Sequence, residues 1–352
     1  MTKLSPQTIA LLEDIERRID PEVETDFENQ WRDFLYDRFD GDIFIPDRKI
    51  TTPHGTTVTP ININDAVADY DLMLRKELTT VSNALTSKTN SLAVRANYGT
   101  GILSSVFGAD IFIMPYENNT LPTTRILSED KIRDAVQKGI PDIYTGFGRK
   151  VFEFAHFLAE ALKPYPKIQK FMRVYHPDLQ GPLDICELLW GSDFFYALYD
   201  DPDFVHDFLS LITSTYSHFM KKWFEIFPAS EEMNPHWYTL YHRGKILIRN
   251  DSAMNLSPDL YEEFSLPYDK KLLDEFGGGV VHFCGRGDHY IPILCTLNNL
   301  YGINMSQPEY NDMETIYRHT VDKNIKILSF NRTVALKDKQ RKGAFNHSLS
   351  SF

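Results

Sequence analysis

Short β-branched or apolar runs alternate with longer amphipathic segments from about Leu92 onward, and this alternation constrains the fold more than any other feature of the chain. The runs predict strands over residues 92–97, 171–175, 245–251, 280–284, 301–305 and 325–330. Strands that alternate with helices build parallel sheets from repeated β/α units. Six strands with gaps between them suit an eight-stranded closed sheet, so we predict an α/β fold, a (β/α)8 TIM barrel with an N-terminal helical extension.

The segments between these runs carry helix start signals. Ser128, Asp201 and Ser257 each precede a first turn that contains proline or acidic residues, which favour helix initiation. The helix that begins after Ser257 is expected to end at the glycine run 277–279, because glycine commonly terminates helices. We therefore predict amphipathic helices between the strands.

The first 89 residues differ in character from the rest. They begin with an acidic helical pattern, pass through a threonine-rich stretch at 51–59, and reach a helix expected over 64–84. We predict a mostly helical N-terminal extension over residues 1–89 and a β/α barrel over residues 90–352.

The charge balance and the cysteine count narrow the functional classes. Thirty-seven Lys and Arg residues against 49 Asp and Glu residues give a net charge of −12, so the chain lacks the electropositive surface that neutralises nucleic-acid phosphates. The N-terminal segment has no apolar core of the kind a signal peptide needs, and no run of apolar residues is long enough to span a membrane. We expect a soluble, cytoplasmic protein without nucleic-acid or membrane partners. Three cysteines, Cys186, Cys284 and Cys295, are too few for a disulfide framework.

The segment Gly279-Val280-Val281-His282-Phe283-Cys284-Gly285 carries the most informative chemistry. Successive side chains of a strand point to opposite faces, so His282 and Cys284 share one face. Their α-carbons would lie about 6.6 Å apart, close enough for an imidazole nitrogen and a sulfur to reach one metal ion. The pair falls at the C-terminal end of a predicted strand, where β/α barrels carry their active sites. By spacing alone, the pair is either a metal site or a buried histidine beside a small cysteine.

Several motifs occur in the order and approximate spacing of the uroporphyrinogen decarboxylase superfamily, which this chain resembles over about residues 90–331. They are QGPLDI at 180–185, YDDP at 199–202, ND at 250–251, LSPDLYEEF at 256–264, LPY at 266–268, HFCG at 282–285 and SQPE at 306–309. The resemblance implies a β/α barrel with one of two activities. The superfamily contains decarboxylases of tetrapyrroles, and methyltransferases that move a methyl group between a corrinoid and a thiol.

The HFCG element is similar to that of the methyltransferase branch, in which this His and Cys ligate zinc together with a more distant Cys. The resemblance therefore implies zinc on His282 and Cys284, a small thiol as substrate, and a corrinoid carried by a partner protein. No cysteine follows Cys295 to act as the third ligand. His347, where an eighth strand could end, is the replacement that the sequence offers.

Other polar residues near the predicted strand ends complete the candidate site. Asp251 could orient a ligand or take a proton, and we predict it to be catalytic together with Cys284; a capping role in the loop is the alternative. Arg95 and Asn97 share a strand face and could bind an anionic substrate, with an internal ion pair as the alternative. Further candidates for substrate binding are Tyr175, Gln180 and Glu309.

Three functions stay open at this point. The first is methyl transfer from a corrinoid to a thiol at a zinc or thiolate site. The second is metal-independent decarboxylation of a tetrapyrrole by Arg95, Asp251 and neighbouring polar groups, although residues 94–101 keep only one arginine where the decarboxylases carry an arginine-rich fingerprint. The third is a non-catalytic partner of a corrinoid protein.

Overall fold

Helices and strands alternate along the chain in the computed structural model, which describes residues 3–50, 52–53 and 55–338 together with the backbone of residues 344–346. The α-helices are α1 (Pro6–Arg18), α2 (Pro21–Leu35), α3 (Ile63–Ala68), α4 (Tyr70–Ala84), α5 (Ile102–Val106), α6 (Glu129–Lys138), α7 (Gly146–Leu162), α8 (Pro166–Phe171), α9 (Pro182–Trp190), α10 (Asp193–Asp200), α11 (Pro202–Ile226), α12 (Pro258–Phe264), α13 (Leu266–Glu275), α14 (Ile291–Leu294), α15 (Met313–His319) and α16 (Arg332–Lys337). Short 3-10 helices span Tyr116–Asn118, Ser252–Asn255, Pro308–Tyr310 and Val321–Lys323. None of the helices within the described ranges combines the length and apolar character that crossing a bilayer requires.

The strands are β1 (Ile43–Phe44), β2 (Ala93–Val94), β3 (Ile111–Phe112), β4 (Thr123–Thr124), β5 (Arg173–Val174), β6 (Asn234–His236), β7 (Leu240–His242), β8 (Ile246–Arg249), β9 (Gly279–Phe283), β10 (Leu300–Met305), β11 (Lys326–Phe330) and β12 (Ala344–Asn346). The six predicted strands occur as β2, β5, β8, β9, β10 and β11. β2 and β5 are shorter than predicted, with two residues each.

Six of the twelve described strands belong to one parallel sheet. Its order is β1-β12-β11-β10-β9-β8, and each neighbouring pair is parallel. β2 and β5 form a second, two-stranded parallel sheet, and β3–β4 and β6–β7 are antiparallel pairs. The prediction of an α/β fold with parallel strands is confirmed, and closure into a complete eight-stranded barrel stays a prediction.

The predicted helix starts occur at α6, α11 and α12, which follow Ser128, Asp201 and Ser257. The Ser257 side chain caps its helix by accepting a hydrogen bond from the Leu260 N–H. The single helix predicted from Ser257 to the glycine run is wrong, because α12 and α13 divide that segment. Pro267 has no N–H to donate, and its ring would clash with the carbonyl of the residue four positions earlier. One helix therefore ends before Pro267, and the next helix contains Pro267 in its first turn.

The two faces of the six-stranded sheet pack into separate cores. Ile248 and Val281 are buried in the core that the sheet forms with the surrounding helices. Leu247, Val280 and Leu328 point the other way and share a second core with aromatic residues of α2. We call this second side of the sheet the α2 face. Those aromatic residues are Phe27, Trp31 and Phe34.

One buried arginine ties parts of the N-terminal segment to one another. The Arg48 side chain is 1% exposed and pairs with Glu24 of α2 at 2.9 Å. Its Nη1 donates to the carbonyl oxygens of Ala84, Ser87 and Asn90 at 3.0, 2.7 and 2.6 Å. Arg48 therefore ties α2 to the end of α4 and to the segment that leads into β2.

Replacing Arg48 by Ala should lower the free energy of unfolding by about 3–5 kcal/mol, because it leaves the Glu24 carboxylate buried without its cation. Arg38→Ala is the matched control, since Arg38 and its partner Asp33 are 54% and 52% exposed and such a pair contributes at most about 1 kcal/mol. Urea unfolding followed by circular dichroism measures both losses. Equal losses in the two variants would contradict the anchoring role of Arg48.

Candidate metal centre

Three side chains with different donor atoms meet just beyond the ends of β8 and β9. The ligand atoms of Asp251, His282 and Cys284 all lie within 4.8 Å of one another. The Cys284 Sγ is 3.5 Å from the His282 Nε2, and an oxygen of Asp251 (Oδ1) is 3.5 Å from the same nitrogen. The structure thus brings together the His-x-Cys pair, as its spacing predicts, with the acid that follows the neighbouring strand.

These distances fit a tetrahedral metal ion. Bonds of about 2.0–2.3 Å to nitrogen, oxygen and sulfur place neighbouring ligands about 3.3–3.6 Å apart. Both separations from the His282 Nε2 are 3.5 Å and fall within that range, and the Cys284 Sγ and the Asp251 carboxylate lie within 4.8 Å of each other. The cluster is therefore able to hold a metal ion.

The orientation of the His282 ring is set by β10 and β11. Asn304 donates from Nδ2 to the Leu328 carbonyl at 2.6 Å, which turns its Oδ1 toward His282. The His282 Nδ1 is 2.5 Å from that oxygen and therefore carries the proton. Burial lowers the pKa of His282 below its ordinary value, so the ring is neutral. Nε2 is left with a lone pair that faces Cys284 and Asp251.

Asp251 is positioned from two sides. Its Oδ1 accepts a hydrogen bond from the Cys284 N–H at 2.7 Å, which links the loop after β8 to the end of β9. The N–H groups of Asp251 and Ser252 both donate to the carboxylate of Asp184 on α9, at 3.0 and 2.8 Å. The start of α9 approaches this strand closely, because a Cβ on Gly181 would lie 2.2 Å from the Arg249 carbonyl oxygen.

Cys284 is partly buried and lies at the open side of the cluster. Its Sγ is 3.4 Å from the Ser306 Oγ, and the next residue, Gly285, donates its N–H to the Gln307 side chain at 2.5 Å. Burial raises the pKa of the Cys284 thiol above its ordinary value. Without a cation beside it, the sulfur is therefore a thiol at neutral pH.

The predicted substrate-binding residues Arg95, Asn97 and Gln180 each contact an acidic side chain inside the fold. Arg95 pairs with Asp178 at 3.1 Å, and Arg249 pairs with the same carboxylate at 2.5 Å, so Arg95 does form an internal ion pair. Asn97 donates to Glu77 at 3.1 Å, and Gln180 donates to Asp178 at 3.2 Å.

Tyr175 is buried, and burial raises its pKa above the ordinary range. Glu309 is exposed on the 3-10 helix after β10, and within the described residues no hydrogen bond or ion pair joins it to the cluster. His347, the predicted third metal ligand, lies outside the described residues.

Trp237 contacts two residues of this region. It follows β6 with a left-handed φ of +49°, an unusual backbone conformation for a bulky residue. Its ring lies edge-on to His282 at 5.4 Å and under the Arg249 guanidinium at 5.1 Å. The local sequence pattern does not identify Trp237 as a site residue. Asn304 lies within the predicted strand 301–305, but its place opposite His282 depends on the register between β9 and β10.

Comparison with known proteins gives a likeness at the level of the fold. No protein-family model matches the chain, and no curated protein matches its sequence. Among solved structures, the chain is similar to a methyltransferase from Methanosarcina mazei with a TM-score of 0.56 and 17% sequence identity, over 79% of this chain and 75% of that one. At this identity the likeness describes the fold.

A buried acid lies behind the Asp251 loop. Asn250 donates to Asp269 at 2.7 Å and to Ser265 at 2.8 Å. Burial raises the pKa of Asp269 to about 8, whereas an aspartate in an unfolded chain ionises near pH 4. Between these values the folded state holds a proton that the unfolded state has lost, so this group makes the protein less stable as the pH rises.

Asp269→Asn cannot titrate and keeps an oxygen for Asn250. We expect its free energy of unfolding to fall less than that of the wild type between pH 5 and pH 8, by at least about 1.4 kcal/mol, which corresponds to one pKa unit. Asp259→Asn, at an exposed position of α12, is the control and should follow the wild-type profile. Urea unfolding at several pH values measures the difference. Parallel profiles for the wild type and Asp269→Asn would contradict the prediction.

Proposed function

We propose that this chain is a zinc-dependent methyltransferase that transfers a methyl group from a corrinoid to a small thiol. The observation that carries the proposal is the cluster of Asp251, His282 and Cys284 at the ends of two neighbouring parallel strands. The fold, similar to that of a methyltransferase, supports the class of reaction.

The donor set suits zinc better than other common divalent ions. Sulfur and imidazole nitrogen are typical zinc ligands, whereas magnesium and calcium prefer oxygen ligands. Catalytic zinc commonly has three protein ligands and one open position. We assign the third ligand to Asp251, so that two anionic ligands balance the charge of the ion. Zinc bound here would hold an acceptor thiol as a thiolate, the nucleophilic form.

The surrounding residues prepare the site for this chemistry. Asn304 keeps the His282 proton on Nδ1, so Nε2 stays available as a ligand. Asp184 fixes the loop that carries Asp251. Asp251 and Cys284 are both partly exposed, so a substrate can reach the cluster and the proton of an acceptor thiol can pass to water. With a methylated corrinoid as donor, transfer to the thiolate would form a carbon–sulfur bond and break the carbon–cobalt bond, whose electron pair would stay on cobalt.

The arrangement of the arginines favours methyl transfer over decarboxylation of a tetrapyrrole. Arg95 and Arg249 share the carboxylate of Asp178. A decarboxylase that binds a polycarboxylate substrate needs arginines with free N–H donors. In this chain Asp178 already neutralises part of the charge of Arg95 and Arg249. The second function therefore has less support from the described residues.

The purified protein should bind one zinc ion per chain, and Cys284→Ala should weaken zinc binding by at least about 100-fold, because it removes a ligand rather than a supporting contact. His282→Ala should have a similar effect. Cys295→Ala is the matched control, since Cys295 is a buried cysteine that is not part of the cluster. Chelator competition measures the affinities. Equal, negligible zinc in the wild type and Cys284→Ala would remove the zinc centre from the proposal.

Zinc-loaded protein should transfer the methyl group of methylcobalamin to a small thiol, and the cobalamin absorbance spectrum reports the loss of the methyl ligand. Asp251→Asn should lower the rate by at least about 10-fold, because the amide is a weaker, uncharged ligand, while Cys295→Ala should keep the wild-type rate. Zinc binding without turnover on any thiol would favour a non-catalytic partner of a corrinoid protein. Formation of coproporphyrinogen from uroporphyrinogen would favour the decarboxylase.

A further inference from the structure

A cavity of about 410 Å³ lies between β5 and β8, away from the metal centre. Its walls include the apolar side chains of Leu162, Met172, Phe224, Phe227 and Met233. A volume of this size is within the range of about 300–1,000 Å³ that is typical of small-molecule sites.

None of the three residues of the candidate metal centre lines the cavity, whose wall along β5 extends from Arg173 to Tyr175 and His176 just after the strand. Arg173 is the first residue of β5, and Lys245 immediately precedes β8. Asp251 and Cys284 follow the last residues of β8 and β9, and neither residue lines the cavity. The cavity is therefore a separate site.

The charged side chains that line the cavity are both cationic. They belong to Arg173 and Lys245, and no acidic residue is among the described residues of the lining. Lys245 pairs with Glu231, whose side chain is 83% exposed. An ion pair with so exposed a partner contributes little and exchanges readily. Lys245 can therefore direct its ammonium group to another anion without a large loss of stabilising free energy.

The Arg173 guanidinium contacts Glu28 and is also accessible to solvent. Its Nε and Nη2 both contact the same oxygen of Glu28, at 3.3 and 2.9 Å. Its side chain is 41% exposed, so the guanidinium is reached from solvent. Arg173 and Lys245 therefore place two cations beside the apolar walls, and the carboxylates that pair with them lie outside the lining.

We propose that this cavity binds a small organic anion with an apolar body. The acidic group of the ligand lies against Lys245 and Arg173, and its hydrocarbon or aromatic part packs among the phenylalanine, methionine and leucine side chains. This combination of apolar walls and a few polar groups matches the general composition of ligand pockets. The site is independent of zinc and of methyl transfer.

The probe 8-anilino-1-naphthalenesulfonate, an aromatic sulfonate that fluoresces in apolar surroundings, tests the proposal in the full-length, zinc-loaded protein. We expect saturable binding that decanoate displaces and the uncharged decanol displaces at least about 10-fold less well. Lys245→Glu should weaken binding of the probe at least about 10-fold, through loss of a cation and gain of a repelling charge. Ala159→Phe, which adds a ring to the cavity wall on α7, should reduce the number of sites toward zero.

Lys222→Glu is the matched control, because Lys222 is also a partly exposed lysine but does not line the cavity. It should bind the probe as the wild type does. The zinc content of all three variants should equal that of the wild type, which separates this site from the metal centre. Absence of saturable binding to the wild type, or equal affinities in Lys245→Glu and Lys222→Glu, would overturn the proposal.

Discussion

The parallel pairing of β8, β9 and β10 is the constraint on which the cluster of Asp251, His282 and Cys284 depends. The register places Arg249 beside His282, and His282 beside Asn304. Because side chains alternate between the faces of a sheet, all three project from the α2 face at one level. A slip of one residue in either pairing would turn His282 or Asn304 toward the helices. The lone pair of the imidazole would then have no defined direction.

The residues beneath the centre show how the fold accommodates several acids near one another. Asp184 is buried, and burial together with the charge of Asp251 raises its pKa to about 7. It nevertheless receives two backbone N–H groups from the loop that contains Asp251. A cation bound by Asp251 would offset part of the repulsion between these two carboxyl groups. The carboxyl groups of Asp184 and Asp251 therefore create an electrostatic environment that favours a bound cation.

Local patterns in the sequence were sufficient for six of the described strands, which are short apolar or β-branched runs, and for the His282–Cys284 pair, which depends on a period of two residues. They were not sufficient for Trp237, whose position depends on β6 and β7, strands of three residues with no apolar alternation. Nor does a local pattern show that Asp251 meets Cys284, since that contact requires the register between two strands 33 residues apart. The aromatic spacing of α2 similarly predicts an amphipathic helix but not the sheet face that it covers.

The pairing of β1 with β12 has a consequence for how the molecule is made. Ile43 lies opposite Ala344, so two segments about 300 residues apart in the chain share one edge of the sheet. Contacts of such long sequence separation form late, because a large loop must close before they are gained. During translation the β1 segment therefore cannot form its hydrogen bonds to β12 until the β12 segment has left the ribosome. In the finished fold Phe44 of β1 also packs on Trp31 and Phe34 of α2, and these contacts, close in sequence, need no long loop to close.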